Sequence, residues 1–520
     1  MKVVLFGTHP KQFNGYSKVV YEISKIMAVN HKDIEFHVFG FQNFYTNDRH
    51  RPDFPFSDVT VYDAFAGENP KAQGFGVDQI EAYIKDLKPD VCIVYNDVLV
   101  IQNCVNKIRA AGVEGLKIIA YYDQVYLCQK KEFIQYVNQT CDFVIAFTPY
   151  WETIIKEQGL TLPIDYLQHG INPDIYYPIP KKVARQYFGM SPDDFIILNL
   201  NRNQPRKRWD TCLKAFAEVV SRFPDSPIKM LVGTAVQGGW NLLEIYEREL
   251  KKRNISMEEG MKHLIILNNP QRITDEETNI LYNVADIGIN TCDGEGFGLC
   301  NFEQAAIGIP QVVPKLGGFN DFFDDDNAFL IEPTIAYYVD SSRDAVAGEA
   351  LMCDYMDFAD GISTYYQDAE LREKHGKNAR ENILKNYVWK DIAAKLVKIC
   401  KSLKPEAVKE DENEKEVQPV ELLEEVAEID ITSIKELMAV TPETPESSQS
   451  SLTTASSVAA PLPEVLTPSP PQAASKPQHE DTSAAPSKKK KKSMKELEAL
   501  KKQIETILTS LHDSDNEDDE

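Results

Sequence analysis

Two carboxylates eight positions apart, Glu295 and Glu303, stand in the run DGEGFGLCNFEQAAIGIPQVVPKLGG, residues 293–318. Glu295 lies in a glycine-rich turn, and Glu303 falls where an amphipathic helix should be running. Gly296 and Gly298 let backbone N–H groups approach a ligand closely, because no Cβ intervenes. A helix that starts just after them points its positive end at the same place. The stretch therefore offers amides for an anion, one carboxylate in a turn and a second on the helix behind it. That set suits a ligand carrying both phosphates and sugar hydroxyls.

A cluster of cations lies upstream, in Asn201-Arg202-Asn203-Gln204-Pro205-Arg206-Lys207-Arg208. Arg202 and Lys207 are the pair expected at a diphosphate. A leaving nucleoside diphosphate gains negative charge as its bond to sugar breaks, and a fixed guanidinium and ammonium stabilise that charge. Taken alone, the cluster also reads as a solvated basic loop. Each glutamate alone also reads as a helix-terminal acid that complements the dipole. Glu303 suits the two ribose hydroxyls of a nucleotide. Glu295 suits the transferred sugar, where it stabilises positive charge developing at C1.

These residues need a scaffold, and the hydrophobic pattern supplies one. Short apolar runs at 2–6, 35–41, 91–95, 117–121, 143–147 and 164–167 alternate with helical patterns at 16–28, 77–87, 101–110, 131–139 and 150–157. A turn-rich stretch at 168–180 reads as a linker. A second alternation places strands at 195–201, 228–232, 263–267, 287–290, 311–313 and 329–331. Its helical patterns lie at 211–222, 241–253, 275–284, 302–307 and 345–353, followed by more helix to residue 403 with Trp389 on an apolar stripe. Nearly uniform apolar strands separated by helices predict parallel sheets covered on both faces. The fold class is α/β, with two Rossmann-like doubly wound domains facing a cleft, at 1–175 and 176–403. Ligands in such sheets sit at the carboxyl ends of the strands, where the cation cluster falls. The first strand runs through Gly7 to Gly15 into a helix; without G-x-G-x-x-G spacing this is weak as a dinucleotide signal, but Gly15 could admit a sugar or phosphate.

The pattern E-G-F-G-L-x-x-x-E-x-x-x-x-G-x-P, filled by Glu295 to Pro310, closely resembles glycosyltransferase family 4, a large retaining family with a GT-B fold. Arg202 and Lys207, the Gly15 loop, and His169-Gly170-Ile171-Asn172 followed by Tyr176 and Pro178 resemble it as well. The resemblance spans roughly residues 1–400 and is looser in the first half. It implies a retaining, metal-independent hexosyltransferase that uses a nucleoside-diphosphate sugar, UDP or GDP, and no cofactor. It implies Arg202 and Lys207 at the diphosphate and Glu303 at the ribose. Glu295 and the amides of Gly296, Phe297, Gly298 and Leu299 would face the donor sugar or its phosphates, with Gly15 across the cleft. The favoured route is front-face substitution, the donor phosphate helping to deprotonate the acceptor. Many members carry a His after the strand corresponding to 117–121; here Tyr121-Tyr122-Asp123-Gln124 stands there, so Asp123 is the candidate for that polar contact. Asp324-Asp325-Asp326 is expected as a solvated loop, with no metal site. The competing readings are another GT-B enzyme, such as a nucleotide-sugar epimerase or a phosphorylase, and a non-catalytic glycan- or nucleotide-sugar-binding scaffold.

Composition bounds the partners. The net charge is −24, and residues 404–520 carry −13 of it. The remaining body is also acidic, which argues against nucleic acid as a partner. Nine cysteines show no C-x-x-C pair, and no His cluster has zinc spacing, so a reduced, cytoplasmic chain is expected. The apolar run at the N-terminus is too short for a signal-peptide core. Residues 404–487, rich in Glu, Pro, Ser and Thr, read as a disordered linker. Residues 488–520 open with a run of five lysines at 488–492, followed by a short amphipathic helix at 493–511 and an acidic end. That helix is the candidate site for a protein partner, with peripheral membrane contact through the lysine run as the alternative. The acceptor, whether glycan, lipid or protein, leaves no motif.

Overall fold

The computed structural model describes residues 1–43, 51, 59–69, 73–267, 273–341 and 343–403. The readings of 404–487 and 488–520 as linker, lysine run, partner helix and acidic end lie outside the described residues.

Two parallel sheets carry the chain. The first holds β1 (Lys2–Thr8), β2 (Glu35–Phe41), β3 (Val59–Asp63), β4 (Val91–Asn96), β5 (Lys117–Tyr122), β6 (Phe143–Ala146) and β7 (Ile164–Tyr166). Their order across the sheet is β3-β2-β1-β4-β5-β6-β7. The second holds β8 (Phe195–Asn199), β9 (Ile228–Val232), β10 (Leu264–Ile266), β11 (Ile287–Ile289), β12 (Gln311–Pro314) and β13 (Phe329–Ile331). Its order is β10-β9-β8-β11-β12-β13. All pairings within both sheets are parallel. The central strands are Val-, Ile- and Phe-rich and buried on both faces, as helices on either side require. This is the two-Rossmann GT-B arrangement.

The strand order reverses direction at β1/β4 in the first sheet and at β8/β11 in the second. Such switch points open a crevice at the carboxyl ends of the strands. Gly15 follows β1, Asp97 follows β4, Arg202 and Lys207 follow β8, and Glu295 follows β11.

The chain returns to its first half at the end. Helix Trp389–Ser402 buries Trp389, Ile392, Leu396 and Ile399. A Cβ on Gly170 would meet the Trp389 ring at 2.8 Å, so only glycine lets the crossover lie this close. Ile171 N donates to Tyr387 O at 3.0 Å, and Lys401 pairs with Asp33 at 2.6 Å.

Several elements differ from the sequence reading, helices Lys181–Phe188 and Met257–Met261 among them. Residues 345–353 are not helical: β15 (Gly348–Met352) pairs antiparallel with β14 (Ile335–Val339) in a separate hairpin. Glu349, Ala350, Leu351 and Met352 are good helix formers, but tertiary pairing overrides that preference. The hairpin also bridges to the loop after β5, where Leu127 and Glu349 exchange backbone hydrogen bonds of 3.0 and 2.7 Å. The edge strand β3 had no counterpart in the sequence reading.

Candidate active site

The cation cluster forms a tight turn. Pro205–Lys207 is a single turn of 3-10 helix, and Arg208 takes a left-handed φ of 46° before helix Trp209–Arg222 begins. The turn is strapped to the neighbouring strand end: Asp293 N donates to Arg206 O at 3.0 Å, and Thr291 Oγ1 to Arg208 O at 3.0 Å. This fixes Lys207 and Arg206 beside Glu295. Lys207 Nζ donates to Glu295 Oε2, and Arg206 lies 3.5 Å from Oε1. Burial pushes the Glu295 carboxyl up, but Lys207 and Arg206 outweigh it and hold the group below its ordinary range. Arg202 differs: it is exposed, and among the described residues it carries no ion pair.

The loop bearing Glu295 is held from behind. Gly318 N donates to Glu295 O at 3.0 Å and Trp151 Nε1 to Gly296 O at 2.8 Å. A Cβ on Gly318 would lie 2.5 Å from Phe297 Cα, so that position admits glycine alone. Gly298, at φ 96°, then turns the chain into helix Leu299–Ala306. The Phe297 ring packs inward on His169 and Phe322, at 4.5 and 5.2 Å between ring centres; only its backbone faces outward. Among the described residues, the N–H groups of Phe297, Gly298, Leu299 and Cys300 have no protein acceptor. Four consecutive donors at a helix N-terminus make an anion cradle.

Asp123 reaches this loop from the opposite sheet. Its carboxylate accepts from Tyr16 OH, and its Oδ1 has no partner. A Cβ on Gly296 would collide with that oxygen. Burial raises the Asp123 carboxyl above its ordinary value. Gly15 opens helix Gly15–Asn30, and a Cβ there would meet Leu299 Cδ1 at 3.1 Å. The starts of helices Gly15–Asn30 and Leu299–Ala306 thus approach one another across the cleft.

Glu303 is 2% exposed. Its Oε1 accepts from Lys18 Nζ at 2.5 Å and its Oε2 from Tyr282 OH at 2.9 Å. Burial raises its carboxyl, against the pull of Lys18. Lys18 also bonds Tyr176 OH at 2.5 Å and lies 3.7 Å from Asp275. Arg51 makes a two-pronged contact to Asp275, at 2.6 and 3.0 Å. The first half thus supplies two cations and the second half two carboxylates.

Residues 181–351 match the model for glycosyl transferases group 1. This stretch is similar to the catalytic domains of group 1 glycosyltransferases. The chain is 31% identical over 151 residues to D-inositol 3-phosphate glycosyltransferase 2 of Catenulispora acidiphila, covering 29% of this chain and 34% of that protein. It is 28% identical over 199 residues to mannosylfructose-phosphate synthase of Agrobacterium fabrum, covering 36% and 41%. The alignments thus span a third to two fifths of these relatives. Among solved structures, sucrose-phosphate synthase from Thermosynechococcus elongatus superposes with a TM-score of 0.59 at 16% identity, over 78% of this chain and 99% of that one. Anabaena HepE, solved with UDP and glucose, gives 0.55 at 16% identity, over 77% and 100%. At these identities the likeness is one of fold.

The residues selected within 181–351 gather after β8 and β11 and on helix Leu299–Ala306. Asp123 and Gly15 approach it from the other sheet. Lys18, Arg51, Asp275, Tyr282 and Tyr16 were not selected, and Arg206 was seen only as part of a cluster. Lys18 carried a signal: it lies one turn beyond Gly15 on a largely buried helix, where an unpartnered lysine is costly. Asp324–Asp326 is exposed. Among the described residues no three His, Cys, Asp or Glu side chains converge as a metal site, and no helix is long and apolar enough to cross a membrane.

Proposed function

We propose that this protein is a retaining, metal-independent glycosyltransferase that moves a hexose-type sugar from a UDP- or GDP-sugar to an acceptor hydroxyl. The observation that carries this reading is the row of four unpartnered amides at Phe297–Cys300 beside the unpaired Arg202. A diphosphate there receives backbone donors, a helix N-terminus and a guanidinium at once. Lys207 spends one of its three N–H donors on Glu295 and keeps two for phosphate. Glu303 accepts one bond on each oxygen, which leaves a lone pair on each for a ribose hydroxyl.

The transferred sugar then lies between Glu295 and Asp123. As its C1–O bond to phosphate breaks, negative charge moves onto the diphosphate, toward Arg202, Lys207 and the amides. Positive charge grows at C1, toward Glu295. The acceptor oxygen bonds to C1 on the same face, and its proton passes to the departing phosphate oxygen. Asp123, fixed by Tyr16, orients the acceptor hydroxyl or the sugar.

Purified protein given a panel of UDP- and GDP-sugars with acceptor extracts should release nucleoside diphosphate. Binding of UDP and GDP by calorimetry gives the independent check. Absence of both release and binding sinks the proposal.

A further inference from the structure

The β14–β15 hairpin leaves one edge open. The contacts of β15 fix which groups point where. Glu349 N donates to Leu127 O at 2.7 Å and Leu351 N to Asp293 O at 3.0 Å, both on the side of β15 away from β14. Gly348, Ala350 and Met352 therefore carry the ladder to Val339, Tyr337 and Ile335. The N–H and C=O groups of the intervening Ala336 and Tyr338 then point outward from β14, and no protein group meets them among the described residues.

This edge lacks the usual protections. Edge strands are kept from pairing by shortness, charge, proline or a bulge. At the outer edges of the two parallel sheets, β7, β10 and β13 are three residues long and β3 ends in Asp63. β14 reads Ile-Ala-Tyr-Tyr-Val over five residues, with no charge, no proline and an unbroken register. Tyr338 is 76% exposed and Ile335 50%, the two most exposed large hydrophobic residues among those described.

The side chains of the strand say what covers it. Paired antiparallel with itself about Tyr337, β14 is its own complement. Ala336 of one copy faces Tyr338 of the second, so the outward main-chain groups exchange hydrogen bonds and a small residue lies beside each large ring. Ile335 faces Val339. Tyr337 faces Tyr337 at the axis as a non-hydrogen-bonded pair, where side chains come closest. Beyond them Thr334 faces Asp340, so like charges do not meet. The Ile335 and Tyr337 face also borders a groove of about 370 Å³ lined by Arg208, Trp240, Ile335, Tyr337, Arg343 and Met352, beside which the second copy's Tyr337 would lie. A foreign strand would have to match this alternation of small and large residues; a second copy matches it by symmetry.

We infer that β14 is a dimerisation edge: two copies of this chain pair antiparallel about a two-fold axis at Tyr337 and join their hairpins into one sheet. One strand and one groove fall short of the roughly 1,600 Å² of a standard interface, so association is expected at micromolar concentration.

Sedimentation velocity of the full chain from roughly 1 to 100 μM, a range that brackets such affinities, should show a monomer–dimer transition. Ala336→Pro deletes an outward N–H and none of the bonds to β15, and Tyr338→Lys sets a charge on the edge. Both variants should stay monomeric over the whole range with the melting temperature unmoved; where Ala336→Pro melts lower, Tyr338→Lys decides. Tyr337→Cys should form an intermolecular disulfide on mild oxidation, since Cα atoms in such a pair lie about 4.5 Å apart. Ala336→Cys should not, since its symmetry mates lie diagonally, roughly 7–8 Å apart. The wild-type chain under the same oxidant gives the background from the exposed Cys128. A wild-type monomer at the highest concentration overturns the inference, whether the edge is then free or taken by another segment or peptide. A dimer that survives both edge variants, or a cross-link at 336 without one at 337, overturns it as well.

Discussion

Replacing Asp97 with Asn should stabilise the protein at neutral pH and flatten part of its pH dependence. Asp97 Oδ1 accepts from Leu99 N at 2.9 Å and Val100 N at 3.1 Å. An Asn keeps that acceptor, and the two residues rank alike as helix caps. What the substitution removes is a carboxylate whose pKa is raised to about 6 from 3.8, by burial first and by Asp123 and Asp344 after it. For an acid raised in the folded state, the folded chain holds the proton over the window that the unfolded chain has already lost it. Stability therefore falls as pH rises from about 4 to about 6 and stays reduced above. The full shift corresponds to about 3 kcal/mol. Asp97 is partly accessible, and Asn forfeits a favourable charge at the helix N-terminus, so ~1 kcal/mol net is the reasoned gain. That raises the melting temperature by roughly 2–4 °C if a unit of some 200 residues melts cooperatively. Melting curves of both proteins at pH 7.5 and pH 5, at equal ionic strength, read this directly. The gain should be present at pH 7.5 and reduced by about half at pH 5, midway through the window. A variant less stable at pH 7.5, or a difference that ignores pH, would refute the reasoning.

Four further outcomes follow from the same geometry. Lys18→Met leaves Glu303 buried without its cation and should cost about 3 kcal/mol in urea unfolding; Glu303→Gln in the same chain should recover part of it, and strictly additive losses would argue against coupling. Arg202→Ala removes an unpaired side chain, so nucleotide affinity should fall by ~1.5–3 kcal/mol in calorimetry with the melting temperature unmoved. Lys207→Ala strands Glu295 and should lower both affinity and melting temperature, which separates the two cations by experiment. Gly296→Ala places a methyl group on Asp123 Oδ1, so sugar transfer should drop while UDP or GDP binding is retained; unchanged turnover would remove Asp123 from the reacting centre.

The clustering of the candidate donor residues was legible because it is local. Arg202, Lys207, Glu295 and Glu303 sit in the loops and helix that follow β8 and β11, which are hydrogen-bonded neighbours. Glycine spacing, helix start and strand end are all written within short windows there. The missed contacts are long-range. Lys18 and Glu303 are 285 residues apart and Arg51 and Asp275 are 224 apart, so no window contains either pair. The hairpin was hidden for a different reason: β15 is built of helix formers and is a strand because β14 and Leu127 pair with it. Asp123 was visible as a polar residue at a strand end, but its neighbour Tyr16 comes from the helix after β1.

The contacts between the halves also suit the proposed entry of a large anion. Lys18–Glu303 and Arg51–Asp275 are buried when the faces meet. Such pairs add little net stability over an apolar seam, because their Coulomb attraction is largely offset by desolvation. Separating them returns all four groups to water, so the desolvation cost is refunded as the attraction is lost. An apolar seam of the same area has no such compensation and resists separation in proportion to its surface. The polar seam also fixes register, since each cation has a designated carboxylate. In the proposed reaction the second sheet would offer Arg202, Lys207 and free amides to a diphosphate, while Asp97 and Asp123 stand at the strand ends of the first. An anionic donor seated backwards would face those carboxylates, so in the proposed reaction this division of charge also orients the donor.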